Sequence, residues 1–190
     1  MCADWPTALG HARSAVWLDR AARRAVHALK YGGLPRIADD LTDATARVRL
    51  PLGDRPAALV PVPLAPRRLA QRGYNQSAHL AARLAQRWRH PVLDLLVRTR
   101  ETASQTALTP AARLANVAGA FEVRNAELGT RNTPGSFGST FPLPRSTFIL
   151  VDDVFTTGAT LAAAAGALEA AGARSVMAVT FGRAVIPDFT

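Results

Sequence analysis

Cysteine, lysine and aromatic residues are all scarce in this chain, and each scarcity removes a class of structure. Cys2 is the sole cysteine among 190 residues, so neither an internal disulfide nor a cysteine-built zinc site can form within the sequence. Aromatic residues make up 6% of it, thin provision for a surface that stacks successive bases. No apolar run reaches the length of a membrane span, because arginines break the longer ones. Met1 to Gly10 carries neither the basic start nor the apolar stretch of a secretory signal, so a cytoplasmic location is expected. Lys30 is the only lysine, so the net charge of +9 is almost wholly arginine. That excess has two readings: a coding bias toward Arg and Ala, or attraction to polyanions, whether phosphates or nucleic acid.

What is present is enough apolar mass for a core. Hydrophobic residues are 48% of the chain, in a length that suits one domain with a small appendage. Residues 1–50 read as an N-terminal helical segment or hood, and 51–190 as the main domain. Within the first, residues 11–30 have the period of an amphipathic helix. Leu18, Ala22, Val26 and Leu29 fall on one face, with Arg13, Arg20, Arg23, Arg24 and His27 on the flanks. A second helix over 35–47 opens on Pro35. Ala57 to Val62 predicts a short buried strand, stopped by Pro61 and Pro63. A basic loop, Pro63 to Arg72, follows it. Asn75 then caps a helix running to Arg89, with Leu80, Leu84 and Trp88 inward. Val92 to Val97 and Gly119 to Arg124 read as strands. Residues 125–146, rich in Gly, Ser and Pro and without period, read as a flexible insertion. Thr147 to Val151 predicts a central strand, 158–171 a helix ended by Gly172, and Ser175 to Phe181 a last buried strand. Gly166 is expected to let that helix approach the sheet. Alternating strands and helices predict an α/β fold, a mainly parallel central sheet with helices on both faces. Ligands of such sheets bind beyond the carboxyl ends of the strands.

The most informative run lies at such an end: Ile149-Leu150-Val151-Asp152-Asp153-Val154-Phe155-Thr156-Thr157-Gly158-Ala159-Thr160. An apolar strand delivers two adjacent carboxylates to the sheet edge, where they can accept hydrogen bonds from neighbouring sugar hydroxyls. A turn of Thr, Thr, Gly and Thr then presents hydroxyls and N–H groups at a helix N-terminus, where an anion is favoured. Gly158 lets backbone come close to a phosphate. Together these suit a sugar bearing a 5′-phosphate.

The run resembles the phosphoribosyl diphosphate (PRPP) motif of type I phosphoribosyltransferases. Val60-Pro61-Val62-Pro63-Leu64 with Arg67-Arg68 and Arg72-Gly73-Tyr74-Asn75-Gln76, the stretch from Arg98 through Gln105-Thr106-Ala107-Leu108 to Phe121, and the weaker Leu29-Lys30-Tyr31-Gly32-Gly33 resemble one branch of that superfamily. This branch is the ComF family of competence-associated proteins. The resemblance implies a type I phosphoribosyltransferase-like fold; with Cys2 as its sole cysteine the chain departs from the family, whose members commonly carry an N-terminal zinc ribbon. It implies that Asp152 and Asp153 take the ribose hydroxyls and a magnesium ion, and that Thr156, Thr157, Gly158, Ala159 and Thr160 hold the 5′-phosphate. Arg67, Arg68 and Arg72 are the candidates for pyrophosphate, since a guanidinium grips two phosphate oxygens at once. Arg100, Gln105, Arg113 and Asn116 are the candidates for a mobile loop over the ligand, although Arg113 and Asn116 suit a structural helix end equally well.

The resemblance further implies displacement of pyrophosphate from C1 of PRPP by an acceptor. No catalytic base is assigned. Relatives acting on 6-oxopurines usually have an acid at the position of Thr156, and a threonine there disfavours purine salvage. Two functional readings stay open: a phosphoribosyltransferase of unknown acceptor, and a PRPP-sensing accessory factor in single-stranded DNA handling. The implied partners are PRPP, single-stranded DNA or a DNA-processing helicase, and a second copy of the chain.

Overall fold

The computed structural model describes residues 8–31, 35–53, 56–100, 117–124 and 146–184. The elements in chain order are β1 (Leu9–Trp17), α1 (Arg20–Tyr31), α2 (Pro35–Ala46), β2 (Ala57–Pro61), α3 (Pro66–Arg72), α4 (Gln76–Trp88), β3 (Leu96–Arg98), β4 (Phe121–Val123), β5 (Thr147–Phe155), α5 (Ala159–Ala170) and β6 (Ser175–Arg183). Four strands form one sheet in the order β1-β6-β5-β2. All three pairings in it are parallel, so the expected parallel α/β architecture is what the chain adopts.

Strand side chains alternate between two cores. Ala58, Val60, Phe148, Leu150, Val176 and Ala178 face one side, against Leu161, Ala164, Ala165 and Leu168 of α5. Ala57, Leu59, Ile149, Val151, Val179 and Phe181 face the other, against α1, α2 and α4. Both faces are therefore covered, which is why these strands read as near-continuous apolar runs. Truncating a fully buried Leu150 or Leu84 to Ala would cost about 2–5 kcal/mol.

Several elements differ from the sequence expectation. The N-terminal segment is not helical from residue 11: Leu9–Trp17 is a strand, hydrogen-bonded along β6. The apolar period that predicts the helix begins only at Leu18. Asp19 sets the boundary, since its carboxylate accepts from the Ala22 N–H at 2.8 Å and so caps α1. The basic stretch after β2 is not a loop throughout: Pro66 opens a seven-residue helix, closed by Gly73 at φ 76°, whose N–H reaches the Leu69 carbonyl. The strand expected over Val92 to Val97 is split. Residues at 91–93 bond to Leu59 of β2, whereas Leu96–Arg98 leaves the main sheet and pairs antiparallel with β4. Gly166 makes no close approach, because a Cβ there would meet nothing within 4 Å. Gly172, at φ 94°, does end α5 as expected. Gln105, Arg113 and Asn116, together with most of the 125–146 insertion, lie outside the described residues.

Candidate functional site

The carboxyl ends of β2 and β5 open onto a cavity of about 550 Å³, within the range of small-molecule sites. β5 carries Asp152 and Asp153 to its floor. Asp153 is buried, and its Oδ2 lies 2.6 Å from the Nζ of Lys30, in the last turn of α1. Asp152 Oδ1 accepts from the Ser77 hydroxyl and from the Asp153 N–H, both at 2.9 Å. Ser77 is available because α4 starts at this point. Asn75 caps the helix by accepting from the Ser77 N–H, while its own amide donates to the Val62 carbonyl at the end of β2. Burial, and then the adjacent Asp153 charge, push the Asp152 carboxyl up to about 7, against the pull of the two hydrogen bonds it accepts.

The turn after β5 leads directly into a helix N-terminus. Gly158 stands at φ 80°, left-handed backbone that suits glycine, and the Thr157 hydroxyl accepts from the Ala159 N–H. Thr156 and Thr160 line the cavity beside the two acids. Ala159 is buried in the first turn of α5, and its side chain serves the core.

Much of the remaining lining is basic. Arg68 and Arg72 belong to it, from α3. They are four residues apart and so share a helix face, whereas Arg67 projects about 100° around the axis and stands outside the lining. Arg72 is held by Gln76 Oε1 at 3.1 Å and the Tyr31 hydroxyl at 3.3 Å, with its guanidinium 5.1 Å from the Tyr31 ring centre. Arg100 is exposed and donates to the Ala118 carbonyl, away from the cavity.

Five permanently basic side chains thus surround two carboxylates: Arg23, Lys30, Arg68, Arg72 and Arg98. Three of these, with Ser77 and His27, were not singled out from sequence. Arg98 is buried and lies over the Phe121 ring at 5.3 Å. Its position before a polar stretch gave no sign of that. Lys30 did carry a signal, as the only lysine and part of the weakest motif. The net balance at the cavity is positive, which suits a polyanion that also offers hydroxyls to the acids.

For a resident divalent ion the donor set is a poor fit. Only two carboxylates meet, each with one oxygen already engaged, and among the described residues no group of three or more His, Cys, Asp or Glu converges.

The fold and cavity define an open parallel α/β protein with a cavity at the carboxyl edge of its strands. Within that class the chain is similar to the DNA utilization protein YhgH of Escherichia coli (strain K12), 34% identical over 161 residues, which cover 80% of this chain and 62% of that one. The proteins of the same name from Shigella flexneri and Salmonella typhi match at the same identity and coverage. The chain therefore spans 62% of the length of these curated relatives. No protein-family model matches it. Among the described residues, no helix is long and apolar enough to cross a membrane.

Proposed function

We propose that this cavity binds PRPP and that the chain transfers its phosphoribosyl group to an acceptor, releasing pyrophosphate, in a process of DNA utilization. The observation that carries the reading is the pairing of opposites in one cavity. A vicinal acid pair of β5 lines the same cavity as Arg68, Arg72 and Arg98 and as Thr156 and Thr160 of the turn that opens α5. A ligand that uses all three parts has adjacent hydroxyls, a terminal phosphate and a second, more highly charged phosphate group. The name of the relatives supports the setting in DNA utilization.

In this reading the acids orient the ribose ring and the turn takes the 5′-phosphate. Arg68 and Arg72 grip the diphosphate, with magnesium entering as its counter-ion. As the C1–O bond breaks, its electron pair leaves with pyrophosphate and positive charge grows on the sugar, close to Asp152 and Asp153. The acceptor's lone pair forms the new bond at C1, and its proton must leave. His27 is the histidine lining the cavity and is the candidate to receive it. The contribution of the chain is positioning and electrostatic stabilisation. A second reading, binding without turnover, is favoured by the engagement of both acids with Lys30 and Ser77.

PRPP with magnesium at 100 times Kd should stabilise the protein by about 2.7 kcal/mol, a melting shift of roughly 5–10 °C for a chain of this size. Asp152→Asn combined with Asp153→Asn should abolish the shift, and no shift in the wild type at saturating PRPP would sink the reading. Pyrophosphate release across an acceptor panel separates the enzyme from the sensor.

A further inference from the structure

The geometry points to Lys30 as the built-in cation of this site. It neutralises Asp153 in the ligand-free protein, so that the acid pair takes up no free divalent ion and a sugar phosphate can bind without one. The part concerning the sugar phosphate rests on the function proposed above; the part concerning the cation does not.

α1 packs on the sheet through Ala22, Val26 and Leu29. Lys30 follows Leu29 and sits where the helix reaches the sheet end, so its stem crosses partly buried ground to the cavity. Its side chain is 24% exposed and that of Asp153 is 7% exposed, with 2.6 Å between ammonium and carboxylate. A buried carboxylate at this depth requires compensation, by a partner cation, a bound metal or a proton. Lys30 supplies it from within the chain. Asp152 is meanwhile satisfied by the Ser77 hydroxyl and the Asp153 N–H.

The identity of the cation matters as well as its position. Of 23 basic residues only this one is lysine. A guanidinium would meet Asp153 as a rigid planar fork. An ammonium is a compact charge with three rotatable donors, and it can keep Asp153 while turning another N–H toward a ligand hydroxyl. A magnesium ion, by contrast, demands near-ideal octahedral geometry and gives up its waters reluctantly. To bind here it would have to displace Lys30 from a short, largely buried contact. The divalent ion that accompanies PRPP is on this view held by the diphosphate and the water around it, and the acid pair is left to the sugar.

The test is a manganese titration of the ligand-free protein, followed by electron paramagnetic resonance of the free ion. Wild type should take up no measurable Mn²⁺ at millimolar concentration. Lys30→Met, which keeps the stem and removes the charge, should bind Mn²⁺ at least about 10-fold more tightly. Adding Asp153→Asn to that variant should remove the gain. Uptake by wild type as tight as by Lys30→Met would overturn the proposal, as would an unchanged Lys30→Met.

Should Lys30→Met fail to fold, the single lysine gives a second route. Reductive ¹³C-methylation yields one lysine resonance, which Asp153→Asn should shift and millimolar Mg²⁺ should not; a shift with Mg²⁺ overturns the proposal. Ribose 5-phosphate should stabilise wild type equally in EDTA and in Mg²⁺, and an effect confined to Mg²⁺ would count against the cation-free site. If neither ribose 5-phosphate nor PRPP binds while manganese behaves as stated, the ligand reading fails and the counter-ion role of Lys30 stands.

Discussion

Asp152 is placed where ionisation is expensive, and this has a measurable sign. Its carboxyl is pushed up to about 7 by burial and by the neighbouring Asp153, against about 3.9 for an unperturbed aspartate. Between those values the folded protein holds a proton that the unfolded chain has lost. The contribution to stability is therefore full below pH 4 and disappears as pH rises to about 7. Other carboxylates titrate in the same interval, so the comparison must be a difference between two proteins. Asp152→Asn, which keeps the acceptor for Ser77, should gain on wild type in melting temperature from pH 5 to pH 8. A difference that is flat with pH would refute the assigned environment. How legible such residues were depended on sequence distance. The acids and the Thr-Thr-Gly turn are contiguous, so one strand-turn-helix pattern brought them together. Ser77 lies 75 positions from Asp152, and its role exists only because α4 begins beneath the strand end. As a loop, Arg67, Arg68 and Arg72 are equal candidates; the helix they form makes Arg68 and Arg72 neighbours and turns Arg67 aside.

At the scale of elements, caps and stops were the readable part and pairings were not. Asn75, Pro35 and Gly172 act where sequence reasoning put them. β1 is not legible in the sequence because its alternation is weak and its partner among the described residues is β6, 166 positions further along where Ser14 meets Thr180. The junction between β1 and α1 makes its own prediction. Leu18 folds over Gly182 in β6, and a Cβ there would sit 2.6 Å from Leu18 Cδ1. Leu18 also lines the cavity. Gly182→Ala should therefore cost about 1–3 kcal/mol through overpacking, read as a lower urea midpoint at unchanged slope. It should also weaken ligand binding by moving the cavity wall. An alanine variant as stable as wild type would mean that Leu18 repacks freely. On the same face of the sheet, the Arg83–Asp39 and Arg87–Asp43 pairs join α4 to α2 at matched spacing, although exposed pairs of this kind contribute little each.

The whole molecule carries its arginine excess well beyond the cavity, with Arg13, Arg20 and Arg24 exposed on β1 and α1. If that charge serves the proposed role in DNA utilization, affinity for a single-stranded oligonucleotide should fall linearly with log salt. Replacing Arg20 and Arg24 by alanine should make the slope shallower by about 1.4, at about 0.7 per phosphate contact. No measurable binding even at low salt would remove direct contact and leave a protein partner as the link to DNA.

The pairing of β1 with β6 has a consequence for how the chain is made. Ser14 and Thr180 share a hydrogen bond at 2.7 Å across 166 positions of sequence. On a ribosome β1 emerges well before β6, its neighbour in this sheet. β5 likewise lacks one of its two partners until β6 follows. The sheet can be completed only once β6 has left the ribosome, so it should form late and slowly, as its non-local pairings require. Until that moment the apolar edge of β5 is open to other chains.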